Sequence, residues 1–132
     1  MNEELVFQAS LLQQEAEKIQ EHLDLVEKQL SELEQLSKYL THLNASKEKT
    51  IISSLGKGIH VKTELAEKKL FVEVGSGIVI RKTPEQTLEV IESQLKSLKA
   101  FKTQLLVQKV LSIRALNEAI MEIRQESQEK KE

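Results

Sequence analysis

The chain of 132 residues is long enough for one domain of ordinary size, but only 3% of its residues are aromatic, 30% are charged and tryptophan is absent. A chain rich in Glu, Lys, Gln and Leu usually builds long helices that bury a narrow apolar stripe against a partner, not a thick core of its own. The net charge of -2, with both signs mixed along the chain, argues against a general nucleic-acid binder, which needs a basic face to neutralise phosphates.

The chain contains no cysteine, which excludes disulfide and thiolate chemistry and fits an intracellular protein. The N-terminal segment MNEELVFQASLLQQE is acidic, and its apolar residues are interrupted every few positions. This pattern is unlike a signal peptide or a transmembrane span. We therefore expect a soluble, cytoplasmic protein.

The first predicted element is a long helix over residues 1–45, in which apolar residues recur in alternating steps of four and three. Sustained over about five heptads with polar residues between, this spacing predicts a coiled-coil seam. The helix should end near residues 42–47, where THLNASKEK interrupts the apolar pattern. The predicted seam consists of Leu5, Ala9, Leu12, Ala16, Ile19, Leu23, Val26, Leu30, Leu33, Leu40 and one polar member, Ser37.

Residues 55–84 contain all four glycines and the only proline of the chain. The segment repeats itself, since LGKGIHVK returns nineteen residues later as VGSGIVIR. Each G-x-G turn leads into a β-branched run, and the alternation of apolar and polar residues predicts half-buried strands. With the run at residues 50–52, four short strands over residues 50–82 predict two β-hairpins. Residues 66–69 are expected to form the turn before a returning strand.

Two hairpins are marginally stable in water because they lack a second layer that would bury their apolar face. We expect this insert to oligomerise by pairing with other chains, at its edges or face to face. The glycines fit this interpretation, since each supplies positive φ or close backbone approach where strands change direction. The residues assigned to oligomerisation are Leu55, Gly56, Gly58, Ile59, Val61, Leu70, Val72, Val74, Gly75, Gly77, Ile78 and Ile80.

A second long helix is predicted over residues 83–124. Thr83 is the expected N-cap, Pro84 occupies the first helical position, and Gln86 is placed to complete a capping box. Residues 125–132, with the sequence QESQEKKE, are expected to form a charged, frayed tail.

The second helix pairs back against the first in an antiparallel register, in which Leu40 meets Leu88 and Leu5 meets Ile123. Its heptad positions are 88, 91, 95, 98, 102, 105, 109, 112, 116, 119 and 123. In the middle this frame places Lys102, Lys109 and Ser112 in the seam and leaves Phe101, Leu106, Val110 and Ile113 one residue outside it. We expect a local phase slip and irregular packing there.

The sequence favours neither a nucleotide site, nor a metal site, nor acid catalysis. The two G-x-G turns invite interpretation as phosphate loops, but neither has the G-x-x-x-x-G-K-[ST] spacing and neither opens directly into a helix. The three histidines are far apart, without a neighbouring metal-binding motif. Adjacent carboxylates lie on a charged coiled-coil face, where no apolar pocket favours acid catalysis. The sequence therefore indicates no enzyme, no metal site and no cofactor.

The antiparallel register places both chain ends together at one end of the coiled coil, and off-seam apolar residues gather there. Exposed apolar residues at a mobile tip are what binding to non-native chains requires, and methionine adapts to varied partners. Alternatively, these ends simply carry stray apolar residues or pack on a neighbour. The candidate client-binding residues are Leu5, Val6, Phe7, Leu11, Ile120, Met121 and Ile123.

A helix, a β insert with L-G-x-G and V-G-x-G turns, a K-T-P-E helix start and a second helix of matching length together resemble the α class of prefoldin, an archaeal and eukaryotic co-chaperone. The motif match covers about the central thirty residues, and the architecture covers essentially the whole chain. Ser53-Ser54 stand where this family often has Val-Pro, and Arg81 stands where an acidic residue is common. A standard α subunit and a divergent paralogue are both compatible with the sequence. The residues carrying the match are Leu55, Gly56, Lys57, Gly58, Val61, Lys62, Val72, Glu73, Val74, Gly75, Ser76, Gly77, Lys82 and Thr83.

The resemblance implies an ATP-independent co-chaperone that binds unfolded proteins with its coiled-coil tips and delivers them to a group II chaperonin. It also implies assembly with prefoldin β subunits, as an α2β4 hexamer, or self-association, with no role for nucleic acid or membrane. A structural coiled-coil or filament-forming subunit without client transfer is the alternative. The predicted fold is α+β and mostly helical: a single domain over residues 1–132, with an antiparallel two-helix coiled coil and two central β-hairpins that oligomerise into a β-barrel platform.

Overall fold

The computed structural model describes residues 3–129. Two helices of 43 and 46 residues enclose four short strands in chain order, so the chain is mostly helical, and the predicted fold class is confirmed. The elements are α1 (Glu3–Ala45), β1 (Thr50–Gly56), β2 (Ile59–Glu64), β3 (Leu70–Gly75), β4 (Ile78–Lys82) and α2 (Pro84–Glu129).

The chain divides into two compact units. One unit contains the N-terminal part of α1, up to Ser31, and the C-terminal part of α2, from Ser97 onward. The other unit, Glu32–Lys96, contains the end of α1, the four strands and the start of α2. In each unit the early part of one helix lies with the late part of the other, which is the antiparallel arrangement that the sequence predicts.

Burial along α1 follows the predicted seam position by position. Leu23 is only 2% exposed, and Ile19, Val26 and Leu30 are also buried. The other predicted seam residues of α1 are buried or half-buried, whereas every remaining described residue before Leu43 is exposed. The four-three spacing keeps the seam residues on one side of the helix, and this periodicity alone was sufficient to identify them.

α2 keeps the strict heptad frame through its middle, so the phase slip expected there is wrong. The helix is uninterrupted from Pro84 to Glu129, with Lys102 and Lys109 half-buried and Ser112 only 7% exposed. A lysine can pack its methylene stem along an apolar seam and keep its ammonium group in water, so two seam lysines do not require the helix to change phase.

A cross-helix ion pair is consistent with this register. Lys102 Nζ lies 3.6 Å from Glu27 Oε1, and Glu27 directly follows Val26, which faces Lys102 when the register that pairs Leu40 with Leu88 is continued along the helices. The four apolar residues expected to slip into the seam all remain exposed; they are Phe101, Leu106, Val110 and Ile113.

The end of α1 lies where the sequence predicts it, whereas α2 is longer than predicted. α1 ends at Ala45, within the predicted region. α2 continues as a helix through Glu129, so the frayed tail expected from residue 125 is wrong for residues 125–129, while residues 130–132 lie outside the described part of the chain. Gln, Glu and Ser are tolerated in helices, and no glycine or proline follows Arg124 to stop the hydrogen-bond ladder.

The start of α2 is fixed by the capping box that the sequence predicts. The Gln86 backbone N–H donates to Thr83 Oγ1, and the Thr83 backbone N–H donates to Gln86 Oε1, both at 3.1 Å. Pro84 is the first helical residue, where its missing N–H leaves no donor unsatisfied. The reciprocal bonds therefore define where the sheet region ends and the helix begins.

Each strand pairs with its nearest neighbour in sequence. β1 pairs antiparallel with β2, and β3 with β4, in two separate two-stranded sheets. Two hairpins are therefore confirmed, but residues 66–69 connect one hairpin to the next and are not a turn between paired strands, as the sequence had suggested. The two G-x-G turns close each hairpin within two residues, so β2 and β3 already have partners and do not pair with each other.

Shortening Leu23 to alanine should lower the free energy of unfolding by about 2–5 kcal/mol, because it leaves a cavity in the seam. Leu25, two residues away and 58% exposed, is the matched control, and Leu25→Ala should change stability by no more than about 0.5 kcal/mol. Chemical denaturation followed by circular dichroism measures both. Equal losses would contradict the assigned seam.

Replacing Thr83 with alanine should lower stability by about 1 kcal/mol, because the N-terminal amides of α2 lose their side-chain acceptor. Thr103→Ala is the control, since the Thr103 hydroxyl donates only to the Lys99 carbonyl inside the same helix. That change should be neutral or slightly stabilising, because alanine has the higher helix propensity. Thermal unfolding compares the two variants, and a similar Tm for Thr83→Ala and wild type would refute the role of the cap.

Candidate functional site

The two hairpin turns have the same backbone geometry. Lys57 and Gly58 have φ of 51° and 79°, and Ser76 and Gly77 have φ of 52° and 75°. Positive φ at both central residues is the feature of type I′ turns, whose twist matches that of the flanking strands. The repeated sequence motif therefore encodes a repeated turn, and the glycines are explained by sheet geometry.

Each hairpin also carries a bulge just before its turn. The register shifts between Ser54 and Gly56 in the first hairpin and between Glu73 and Gly75 in the second. One residue, Leu55 or Val74, is left without a cross-strand partner at each shift. Bulges increase the local twist of a strand and redirect its side chains, so both hairpins present their apolar residues in a similarly twisted ladder.

Most residues assigned to oligomerisation are exposed within the chain itself. Leu55 is 71% exposed, and of the assigned set only Leu70 and Val72 are half-buried. Neither hairpin contains a buried residue, so the two sheets lack the core that would stabilise them alone. The exposed apolar members are Leu55, Ile59, Val61, Val74, Ile78 and Ile80.

A set of charged contacts that the sequence did not reveal fixes the connector between the hairpins. Lys68 Nζ donates to the Asn44 carbonyl at 3.2 Å and to the Ser46 carbonyl, and so satisfies acceptors at the C-terminal end of α1. Glu67, its neighbour, forms an ion pair with Arg81 of β4. No sequence spacing signals these contacts, because they join segments whose proximity depends on the fold.

Arg81 also contacts the second hairpin itself. Its guanidinium carbon lies 5.6 Å from the centroid of the Phe71 ring, and Phe71 is its cross-strand partner in the β3–β4 ladder. A cation over an aromatic face stabilises such a pair modestly at an exposed site. The alternation pattern of β3 and β4 could have indicated this pair once the register was known.

The candidate client-binding residues near the chain ends fall into two groups. Leu5 and Ile123 are half-buried members of the seam. The other five are exposed and belong to the same compact unit, and we call them the end cluster; they are Val6, Phe7, Leu11, Ile120 and Met121. Phe7 at 63% and Met121 at 60% are the most exposed of these side chains.

The same unit carries a second exposed apolar surface that the sequence analysis did not assign to function. Leu106, Val110 and Ile113 follow each other at helical spacing along α2, immediately beside the seam, and we call them the lateral stripe. A shallow depression lies along its later part, lined by Val110, Ile113, Arg114, Asn117, Glu118 and Met121. The sequence contains a signal for this surface, because the strict heptad frame of α2 leaves these three residues outside the seam.

Within residues 3–129 the side chains form no group of three or more His, Asp or Glu that could hold a metal ion. Neither helix in this range contains an apolar stretch long enough to cross a membrane.

An antiparallel pair of long helices with two β-hairpins between them in sequence defines a coiled-coil protein with a β insert. The family model described as Prefoldin subunit matches residues 10–131, and the chain belongs to this family. This membership supports a chaperone-type role, since prefoldins are chaperones and not enzymes.

Two relatives support this assignment. The chain is 27% identical to the prefoldin subunit alpha of Picrophilus torridus over 96 residues, which cover 73% of this chain and 69% of the relative. Its fold matches a chain in the cryo-EM structure of filamentous PFD from Methanocaldococcus jannaschii with a TM-score of 0.71 and 22% identity, over 91% of this chain and 98% of the other. The resemblance to prefoldin inferred from the sequence is therefore confirmed. Proteins of this family are subunits of multi-subunit complexes.

Changing Gly77 to alanine should destabilise the β3–β4 hairpin by about 1–2 kcal/mol, because φ at this position lies in the left-handed region. Apart from Gly77 and its two neighbours in the chain, no heavy atom of the described residues lies within 4 Å of the added methyl position, so the cost is conformational and not a clash with another part of the fold. Hydrogen exchange of the β3 and β4 amides measures it, with the β1–β2 hairpin as internal reference. Ser76→Gly is the control and should not accelerate exchange, and equal exchange in Gly77→Ala and wild type would contradict the assigned turn.

Proposed function

We propose that this chain is a subunit of an ATP-independent holdase that binds unfolded proteins with its coiled-coil tips and delivers them to a group II chaperonin in the cytoplasm. The observation that carries this proposal is the end cluster, where five exposed apolar side chains lie in one compact unit. Exposed apolar groups of this size, rimmed by polar residues, are typical of protein-binding surfaces. No cofactor, nucleic acid or membrane enters the proposed cycle.

The proposed affinity depends on several tips acting together. Burying one apolar side chain contributes about 1.5–3 kcal/mol to the binding free energy. Ordering an unfolded client costs free energy that offsets much of this gain, so a single small cluster binds weakly. Several tips joined in one complex raise the effective concentration of each for the same client. Clients would thus be held by many weak contacts, which suits release to a chaperonin without ATP.

The proposed assembly uses the two hairpins. Their apolar residues, from Leu55 to Ile80, are exposed and have no second layer within the chain. We propose that they pair with the hairpins of prefoldin β subunits in a β-barrel platform, as an α2β4 hexamer, or with further copies of this chain. The similarity to a relative named prefoldin subunit alpha supports the proposal that this chain is the α subunit. The word subunit in that name also supports assembly with other chains.

A second candidate function is a structural, filament-forming subunit without client transfer. The observation in its favour is the shared fold with a chain of filamentous PFD. The two candidates differ in the mass of the complex and in client binding. A long homopolymer that does not suppress aggregation would favour the structural role, whereas a defined hetero-oligomer that does suppress it would favour the holdase.

Replacing Phe7, Leu11 and Met121 together with serine should remove most of the ability of the assembled complex to suppress aggregation of a chemically denatured protein, because it removes three exposed apolar contacts from every copy of this chain. Light scattering after dilution from denaturant measures this, and light scattering with size exclusion measures the mass of the complex, which should not change.

The control variant carries Leu25→Ser and Leu36→Ser, two exposed apolar residues of α1 outside the end cluster. It should suppress aggregation as well as wild type. If the triple variant also retains full suppression with an intact complex, the end cluster is not the client-binding site.

A further inference from the structure

We propose that the lateral stripe of α2 is an additional client-contact surface, and that the cations around it select unfolded segments in which apolar residues alternate with acidic ones. This inference rests on the proposed holdase function and names the client chemistry that the complex prefers. It concerns the unit that also contains the end cluster, and it depends on three observations: exposure, charge and continuity.

The stripe is exposed because α2 does not change phase. Leu106 is 43% and Val110 is 55% exposed, although both are large apolar residues in the middle of a long helix. Lysines occupy the seam positions that apolar residues would otherwise fill. The helix thus places cations toward its partner helix and apolar side chains toward solvent, the reverse of the arrangement that would maximise its own stability.

The charge around the stripe has one sign along most of its length. Between Glu92 and Glu118, α2 contains five cations and no carboxylate. Lys99 and Arg114, before and after the stripe, are exposed, and neither forms an ion pair of 4.0 Å or less within the described residues. Glu118 borders the depression at the far end of the stripe. An apolar strip flanked by cations is complementary to a segment that combines apolar and acidic side chains.

The helix opposite has the contrary charge. From Glu15 to Glu27, α1 contains five carboxylates and one cation, Lys18. Lys99 and Arg114 are neighbours of the stripe on the same helix, and screening at physiological ionic strength, over about 8 Å, favours the charges nearest to a bound segment. Lys102, which lies in the seam, is already paired with Glu27, so Lys99 and Arg114 are the cations available to a segment on the stripe.

A second copy of this chain is a poorer occupant than a client segment. The α2 helix of another copy carries the same cations and would be repelled. The α1 helix of another copy has suitable charge, but Leu25 is its one large exposed apolar side chain between Leu11 and Leu36. An unfolded segment with repeated apolar and acidic residues provides both kinds of contact along the whole stripe.

The stripe is continuous with the end cluster. The depression that begins at Val110 and Ile113 extends to Met121, which belongs to that cluster. The distance along the helix axis from Leu106 to Met121 is about 22 Å at 1.5 Å per residue. A client segment bound at the cluster can therefore extend along α2 without leaving an apolar surface.

The test uses the assembled complex of the full chain and three fluorescently labelled, unstructured peptides of equal length and equal leucine content. The residues between the leucines are glutamate in one peptide, glutamine in the second and lysine in the third, with glycine and serine spacers. Fluorescence anisotropy should show that the glutamate peptide binds about fivefold more tightly than the glutamine peptide, as expected for two weak surface charge contacts, and the lysine peptide should bind most weakly. This preference should decrease as the salt concentration rises.

Variants locate the preference on the stripe. Lys99→Gln with Arg114→Gln should abolish the preference for glutamate and leave the affinity for the glutamine peptide unchanged. Leu106→Ser with Val110→Ser should weaken binding of all three peptides. The matched control, Leu25→Ser with Lys28→Gln on α1, changes one exposed apolar residue and one exposed cation and should behave as wild type.

Each contrary result overturns the inference in a recognisable way. If the complex suppresses aggregation through the end cluster but shows no preference for the glutamate peptide, or keeps that preference in the Lys99 and Arg114 variant, the inference fails and the proposed function stands. If the Leu106 and Val110 variant changes the mass of the complex, the stripe is an interface between subunits. If no peptide binds and no aggregation is suppressed, both proposals fail together.

Discussion

The seam between α1 and α2 is the interaction on which the rest of the structure depends. Apart from Pro84 at the start of α2, every buried apolar residue of the described chain belongs to it: Ile19, Leu23, Val26, Leu30, Leu40, Ile91 and Leu105. The hairpins have no buried residue, so they contribute no core of their own. Because apolar burial is the dominant favourable term in folding, the helix pair must supply most of the stability of the isolated chain.

The composition of this seam has a direct consequence for the surface. Lys102, Lys109 and Ser112 occupy positions that leucines would fill in an optimised coiled coil, and the apolar residues beside them remain in contact with water. A protein that acted only as a spacer would be more stable with leucine in place of these two lysines and this serine. A holdase of the kind proposed above needs apolar surface outside its own core, and α2 provides such surface without disrupting the helix.

The hairpins have the opposite character. Their turns are rigidly specified by left-handed residues such as Gly58 and Gly77, and each ladder is regular apart from one bulge. Lys68 and the Glu67–Arg81 ion pair hold the connector against the end of α1 and the last strand. The insert is thus well defined locally but lacks a second layer, which is the expected state of a subunit whose sheet is completed by other chains.

The sequence by itself determined the seam, the capping box of Thr83 and Gln86, the two turns and the family resemblance. These features are local or strictly periodic, so the identity of a few neighbouring residues is enough to specify them. The tertiary structure alone decided that α2 keeps its frame past Lys102, that β3 pairs with β4 and not with β2, and that Lys68 contacts the end of α1. Each of these outcomes depends on contacts between segments that are distant in sequence. The residues near each position are compatible with more than one arrangement, so they do not select the one observed. The lateral stripe follows from the same cause, since an apolar residue is a surface residue only when the partner helix leaves it uncovered.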